Sequence, residues 1–184
     1  MTEYSFSFAL SGIDTSNDEF VDQFYEAGCD DATLALMKGF VIASFDREAE
    51  DFVHAVVSAF SDIKKTGATV ERFEPDYLVS QSEIAKRANL SRAAVSLYVR
   101  GDRGDGFPRP CARITTESPL WDWVTVSAWL YRKHHVGMDS VIQARVGRAI
   151  NILCREKRYP HQLGDRRLIA KIASQSEHQL MLTE

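Results

Sequence analysis

Basic, amide and hydroxyl side chains recur through residues 81–100, which read QSEIAKRANLSRAAVSLYVR. An arginine guanidinium can donate two parallel hydrogen bonds to the O6 and N7 atoms of guanine. Lysine, glutamine and serine side chains can donate hydrogen bonds to phosphate oxygens, which positions a protein on a duplex without reading its sequence. These residue types favour hydrogen-bonded recognition of a nucleic acid as the chemistry of the segment.

The apolar residues of the same segment have the spacing of a helix-turn-helix. Ile84 and the small Ala85 lie where the first helix must approach the second. Asn89 falls at the turn, where a positive φ is usual, and asparagine tolerates that region better than most residues. Ser91 then supplies the N-cap of the second helix. The remaining inward positions are Ala88, Leu90, Val95 and Tyr98. The alternative is an amphipathic helix pair inside a helical bundle.

The outward face of the predicted second helix carries the residues expected to meet DNA. Because the N-terminal part of this helix enters the major groove in a helix-turn-helix, we expect Arg92 to contact a base. The other outward positions are Ser91, Ala93, Ser96, Leu97 and Arg100. Four residues of the first helix are expected to face phosphates and position the module, namely Gln81, Ser82, Lys86 and Arg87.

A glycine-rich segment follows the predicted second helix. Residues 101–114, GDRGDGFPRPCARI, contain three glycines, two prolines and three arginines, which is too irregular for a helix. Residues 111–116 favour a strand. We therefore expect a hairpin, or wing, whose arginines, Arg103, Arg109 and Arg113, can reach the DNA backbone or the minor groove. Arg103 and Arg109 are the two expected to bind DNA. A solvated surface loop is the alternative.

Residues 118–132, SPLWDWVTVSAWLYR, favour another helix, with Ser118 as its N-cap. The residues that would share its apolar side are Leu120, Trp121, Val124, Ala128 and Trp129. Large aromatic residues at helical spacing usually pack in a core, so core packing is favoured over a ligand cage.

The order of these features resembles a known group of DNA-binding domains. The run IAKR, then LSRAAVSLYVRG, the GDGFPRP loop, a strand and the WDW helix resemble the winged-helix domains of the AlpA, excisionase and MerR-like group. The resemblance covers residues 79–133 and extends to small bacterial and phage-associated regulators in which an acidic α/β half precedes this domain. It implies a sequence-specific, double-stranded DNA-binding transcriptional regulator.

The net charge of −4 conceals a strong asymmetry along the chain. Residues 1–78 carry 5 Lys and Arg against 16 Asp and Glu, a balance of −11. Residues 79–184 carry 17 against 10, a balance of +7. A polyanion is repelled by the first part and attracted to the second, so the low overall charge does not exclude nucleic-acid binding.

The acidic part alternates between strand and helix periodicity. Strands are predicted at 4–10, 32–37, 40–45 and 69–73, and helices at 20–25 and 48–65. The order β-α-β-β-α-β is the ferredoxin-like pattern, a four-stranded sheet with two helices on one face. Glu74–Pro75–Asp76 marks the boundary to the next domain, since the residue before proline avoids the helical region.

The predicted fold is therefore α+β with three parts: a ferredoxin-like domain at 1–77, a winged helix-turn-helix at 78–135 and a helical tail at 136–184. Helices are expected at 139–155 and 165–174 of the tail. The face expected to be apolar in the first of these consists of Met138, Val141, Ile142, Ala149, Ile150 and Leu153. A helix in this place pairs two subunits in the MerR-like group, so the resemblance implies a homodimer; a tail packed on its own domain is the alternative.

Catalysis, a metal site and a cofactor are not expected. His134 and His135 have no cysteine or carboxylate at ligand spacing, and no nucleophile, phosphate-loop or zinc-protease motif occurs. The three widely spaced cysteines, Cys29, Cys111 and Cys154, are expected to be free, buried thiols. No apolar run approaches the roughly 18 to 20 residues that span a bilayer, and the first residues lack a secretory signal. We expect a cytoplasmic protein that does not bind membranes.

A second class of function remains open at this point. The acidic half, residues 1–77, has the charge to occupy a basic site on another protein, and a sheet with helices on one face leaves the other face free. The alternative prediction is an antitoxin-like interaction protein in which DNA binding is secondary.

Overall fold

The first half of the chain folds around a four-stranded antiparallel sheet with the order β2-β3-β1-β4. The computed structural model describes residues 1–158 and has an α+β fold with six helices in that range. The elements of this half are β1 Thr2–Ser11, α1 Glu19–Glu26, β2 Ala32–Met37, β3 Phe40–Ala49, α2 Phe52–Lys65 and β4 Thr69–Glu74. The order β-α-β-β-α-β agrees with the one predicted from the sequence.

Two boundaries differ from the sequence prediction because β1 and β3 pair along their whole length. Glu48 and Ala49 pair with Glu3 and Thr2 of β1, so they extend β3 and do not begin a helix. The helix α2 starts at Phe52 instead, and the Asp51 side chain caps it by accepting a hydrogen bond from the His54 backbone N–H at 2.9 Å.

The core of this half is largely aromatic. Phe6, Phe8 and Leu10 alternate along β1 and pack with Phe24 of α1 and Phe52 of α2. On the opposite face of the sheet, Ser7 donates to Ser44 at 3.0 Å and Ser5 donates to Asp46 at 2.6 Å. Further along the same face, Ala9, Ile42 and Ala35 lie side by side on three strands, so this face is polar at one end and apolar at the other.

The second half is built on helices and a two-stranded sheet. Its elements are β5 Leu78–Val79, α3 Gln81–Arg87, α4 Arg92–Arg100, β6 Trp121–Asp122, α5 Trp123–Arg132 and α6 Met138–Arg158. All three tryptophans, Trp121, Trp123 and Trp129, are buried in its core. Core packing is thus confirmed for these residues.

The segment from 111 to 122 differs from the sequence prediction. Residues 111–116 form no strand, and one isolated bridge joins Ala112 to Leu120. The next helix does not begin after Ser118, because Trp121 and Asp122 pair with β5. It begins at Trp123, and the Asp122 side chain caps it by accepting a hydrogen bond from the Val124 backbone N–H at 2.8 Å.

Helix α6 lies against both halves. The Asn151 side chain accepts a hydrogen bond from the Phe73 backbone N–H at 2.7 Å and donates one to the Phe73 carbonyl at 3.0 Å, as a neighbouring strand would. Gly147 packs on the Phe73 ring, and a Cβ added at Gly147 would lie 3.2 Å from two atoms of that ring. Arg148 pairs with Asp122 at 2.7 Å. This helix therefore joins β4 of the first half to the second half.

The apolar face predicted for this helix is wrong in part. Val141 is buried and Ile150 is half-buried, but the other four predicted residues are exposed, namely Met138, Ile142, Ala149 and Leu153. The buried face instead consists of Val141, Ala144, Gly147, Asn151 and Cys154. The predicted helix at 165–174 lies outside the described residues.

Candidate nucleic-acid interface

A reciprocal pair of hydrogen bonds fixes the start of α3. The Ser80 hydroxyl accepts from the Glu83 backbone N–H at 3.3 Å, and the Glu83 carboxylate accepts from the Ser80 backbone N–H at 2.7 Å. This arrangement is a capping box, which satisfies two backbone donors at once. Ile84 and Ala85 of α3 are buried against α4, as their positions in the sequence predicted.

The turn between α3 and α4 has the predicted geometry. Asn89 has a φ of 51°, in the left-handed region. Around it the chain reverses tightly, since Leu90 donates its backbone N–H to the Ala85 carbonyl at 2.8 Å. A β-branched residue would be strained at this φ, whereas asparagine tolerates it. The prediction of a positive φ at Asn89 is confirmed.

Helix α4 begins and ends with defined caps. The Ser91 hydroxyl accepts from the Ala94 backbone N–H at 3.1 Å, which confirms Ser91 as the N-cap. Gly101 ends the helix with a φ of 78°. Val95 and Tyr98 are buried, and the sequence of the helix, RAAVSLYVR, contains no acidic residue. The first turn of α4 thus presents Arg92 without a neighbouring carboxylate on the same helix.

The predicted contact residues fall into two groups by exposure. The exposed ones are Ser82, Lys86, Ser91, Arg92, Ala93, Arg100, Arg103 and Arg109. The partly buried ones are Gln81, Arg87, Ser96 and Leu97. The exposed group lies on α3, on the first and last turns of α4 and on the loop that follows, so the helix-turn-helix presents several donors to solvent.

The arginines of this surface differ in their contacts within the protein. Among residues 1–155, the part of the chain whose side chains are described, Arg92 makes no hydrogen bond or ion pair. Arg100 pairs with the exposed Asp102 at 2.9 Å. Arg103 lies over the Tyr98 ring, with its guanidinium carbon 5.6 Å from the ring centre. Of these three, Arg92 has the guanidinium most available to an external acceptor.

Arg87 has turned away from the exposed surface. It is partly buried, and its guanidinium carbon lies 5.6 Å from the centre of the Trp123 ring. Burial lowers the pKa of Arg87 from its ordinary value, with Glu83 and Asp76 acting in the opposite direction. The sequence predicted a phosphate contact for this residue, but the structure places it in a cleft between the two halves of the molecule.

The first part of the glycine-rich loop, residues 104–107, packs on the core of the second half. Phe107 packs against Tyr98 and Trp129, with ring centres 6.0 and 5.1 Å apart. The Trp129 indole N–H donates to the Asp105 carbonyl at 3.1 Å. Gly104 has a φ of 70°, and a Cβ there would lie 3.2 Å from Trp129. Residues 101–110 therefore form an ordered platform beside α4 and not a free hairpin.

A short hairpin follows this platform. Cys111 donates its backbone N–H to the Leu120 carbonyl at 2.8 Å, so the chain reverses over residues 113–119. Arg113 and Ile114 are exposed at this reversal, and Ile114 is 66% exposed. Arg113 was predicted as one of the three wing arginines, but Arg103 and Arg109 were preferred to it as contacts. The bridge between Ala112 and Leu120 is non-local, so residue spacing alone did not place Arg113 at the tip.

Searches against protein-family models, curated proteins and solved structures found no match to this chain. Within residues 1–158, no helix is both long and apolar enough to cross a bilayer. The same residues contain no group of three or more His, Cys, Asp or Glu side chains arranged to hold a metal ion. Functional inference for this chain therefore rests on its own geometry.

Proposed function

We propose that the protein is a sequence-specific, double-stranded DNA-binding transcriptional regulator whose helix α4 enters the major groove. In this proposal the first half is a ferredoxin-like domain and residues 78–135 are a winged helix-turn-helix. The observation that carries the proposal is the unit formed by α3, the turn at Asn89 and α4, with Arg92 free on the exposed first turn. A guanidinium in this position suits a bidentate contact to guanine.

The hairpin tip at 113–119 supplies the second contact. Arg113 and Ile114 have the character of side chains that enter a minor groove, since arginine is attracted there and apolar residues can wedge between base steps. Arg103 and Arg109, on the platform between α4 and this tip, are exposed and suit phosphate contacts. The charge of −11 on residues 1–78 would keep the first half away from the duplex.

The direct test uses full-length protein and a library of random DNA duplexes. We expect selection to enrich one short sequence. On the enriched site, Arg92→Ala should lose about 1 to 3 kcal/mol of binding free energy, roughly 5- to 150-fold in Kd, and flatten the preference at one base pair. Thermal unfolding of the variant should match that of the parent protein because Arg92 makes no hydrogen bond or ion pair with residues 1–155.

A matched control is Arg145→Ala, which removes an exposed arginine from α6. This variant should keep both the affinity and the base preference. If Arg92→Ala behaved like Arg145→Ala, α4 would not be the recognition helix. If no sequence were enriched, specific DNA binding itself would be wrong.

A second candidate function is partner binding through the acidic half, and the edge strand β2 favours it. Its sequence, ATLALM, carries no charge, and Leu36 and Met37 are 64% and 56% exposed. Within residues 1–158, β3 is the only strand paired with β2, so its other edge is open. Uncharged open edges add strands from other chains.

Self-pairing of this edge would also give the homodimer proposed for two DNA half-sites. Two copies of β2 can join antiparallel about a two-fold axis. We expect Leu36→Lys to shift the full-length protein toward the monomer in light scattering, whereas Val57→Lys, at a 60% exposed position on α2, should not. Equal masses for both variants and the parent would exclude this edge as the dimer interface.

A further inference from the structure

A cleft of about 180 Å³ lies between the two halves of the molecule. Phe52 and Phe73 line it from the first half, Tyr77 from the connection, and Arg87 and Trp123 from the second half. Gln143 of α6 adds a polar group. The cleft therefore combines four aromatic walls with one cation and one amide.

The size of the cleft suits a single aromatic ring. A cavity of roughly 150 Å³ lined by apolar side chains is large enough to bind benzene. The cleft is slightly larger than that and is open at one side, which leaves room for one small polar substituent on the ring.

Arg87 lacks a partner in this cleft. Among residues 1–155, whose side chains the structure describes, it makes no hydrogen bond or ion pair, and its contact is the Trp123 ring. The three acids that act on its charge bind other groups: Glu83 accepts the Ser80 backbone N–H, Glu74 accepts the Asp76 backbone N–H, and Asp76 pairs with Arg72. A partly buried guanidinium that faces an aromatic cleft without an acceptor is set to receive a carboxylate, which can accept its two parallel N–H bonds.

Nearby carboxylates limit the charge of the ligand. Glu74, Asp76 and Glu83 lie near enough to Arg87 for their negative charges to act on its guanidinium. A second negative group on the ligand would be repelled by these carboxylates. The charges around Arg87 therefore favour an anion with one charge over a dicarboxylate or a phosphate.

We propose that this cleft is a binding site for a small aromatic monocarboxylate, with Arg87 pairing its carboxylate and the four aromatic side chains enclosing its ring. Because Arg87 is the last residue of α3, the ligand would contact the helix-turn-helix and the sheet half together. A ligand that prefers one arrangement of the two halves shifts the equilibrium toward it. The regulatory consequence rests on the proposed DNA-binding function, whereas the binding site itself does not.

Benzoate is the probe, and full-length protein is titrated with it while tryptophan fluorescence and heat are recorded. We expect saturable binding of benzoate, at least tenfold weaker binding of the neutral isostere benzamide, and weaker binding of the dianion terephthalate. Arg87→Gln should lower the affinity for benzoate at least tenfold, so that the variant binds benzoate and benzamide equally. Arg145→Gln, at the exposed arginine of α6, should leave the affinity unchanged.

A second variant tests the cleft without touching its cation. Ala144→Met places a longer side chain at a lining position, so it should abolish benzoate binding while Arg87 remains. Equal binding of benzoate and benzamide by the parent protein, or no saturable binding of either, would overturn the proposal. So would unchanged benzoate binding by Arg87→Gln and Ala144→Met. All of these titrations omit DNA, so binding of benzoate by a protein that selects no DNA would refute the regulator and not the cleft.

Discussion

Two arginines, Arg47 in the first half of the molecule and Arg92 in the second, have opposite surroundings. Arg47 in the first half is 8% exposed and donates to Asp31 at 2.7 Å, to Asp62 at 2.8 Å and to the Gly28 carbonyl at 2.8 Å. Arg92 in the second half is exposed and has no such acceptor among residues 1–155. The same residue type thus stabilises the fold where acceptors surround it and remains able to bind another molecule where they are missing.

The largest effect should come from removing the arginine that is fully paired. Arg47→Ala leaves the Asp31 carboxylate without its partner and Asp62 with Lys65 alone. Breaking a buried pair in this way costs about 3 to 5 kcal/mol. We expect the free energy of unfolding, measured with urea, to fall by about that amount. A loss below about 1 kcal/mol would show that Arg47 contributes no more than an exposed ion pair.

Asn151 should give a smaller loss of stability for the same reason, since both its side-chain oxygen and its side-chain nitrogen have hydrogen-bond partners. Asn151→Leu keeps the volume but leaves the Phe73 backbone N–H and carbonyl without their partner. Each unsatisfied buried group costs about 1 to 3 kcal/mol, so we expect a loss in that range in urea unfolding. Ile152→Ala, at a neighbouring 46% exposed position, is the control and should change the value by less than about 1 kcal/mol.

The dependence of stability on pH should follow the acceptors of Arg47. Burial acts to raise the pKa of Asp62, but hydrogen bonds from Lys65 and Arg47 outweigh it and hold the pKa below its ordinary value of 3.8. A carboxylate with a lowered pKa stabilises the fold above its unfolded pKa, and this contribution is lost as the pH falls through the folded pKa. Between about pH 5 and about pH 3, the parent protein should therefore lose more unfolding free energy than Asp62→Asn. Parallel pH profiles would contradict this.

The smallest effects should come from the exposed arginines of the platform. Replacing Arg103 or Arg109 by alanine should weaken binding to all duplex sequences alike. Each lost phosphate contact should lower the slope of log K against log salt by about 0.9. A change in base preference without a change in slope would assign these residues to reading the sequence.

The sequence predicted those parts of the molecule that local physics determines. Asn89 and Ser91 were placed correctly because a positive φ and an N-cap each depend on a few consecutive residues. The alternation of Phe6, Phe8 and Leu10 gave the buried face of β1 for the same reason. The regulator itself, its dimer and its DNA contacts stay predictions.

The errors arose where distant segments pair. Ser118 has the sequence of an N-cap, but pairing of Trp121 with Val79 extends a strand through the predicted first turn. Arg87 has the character of an exposed helix residue, yet α3 turns it toward Trp123. The prediction of the apolar face of α6 was wrong because this helix packs on β4 and α5 together. Its buried residues therefore do not follow one helical periodicity.

The hydrogen bonds between Asn151 and Phe73 also limit how the protein can assemble. They occupy the backbone N–H and carbonyl of Phe73 that point away from the sheet, so a strand from another molecule cannot pair with β4 at this residue. Such a strand could add to the sheet only at β2. A molecule with two open sheet edges can build a fibre, whereas a molecule with one open edge has no edge left after it pairs with a second copy. The pairing proposed for β2 would therefore stop at two copies.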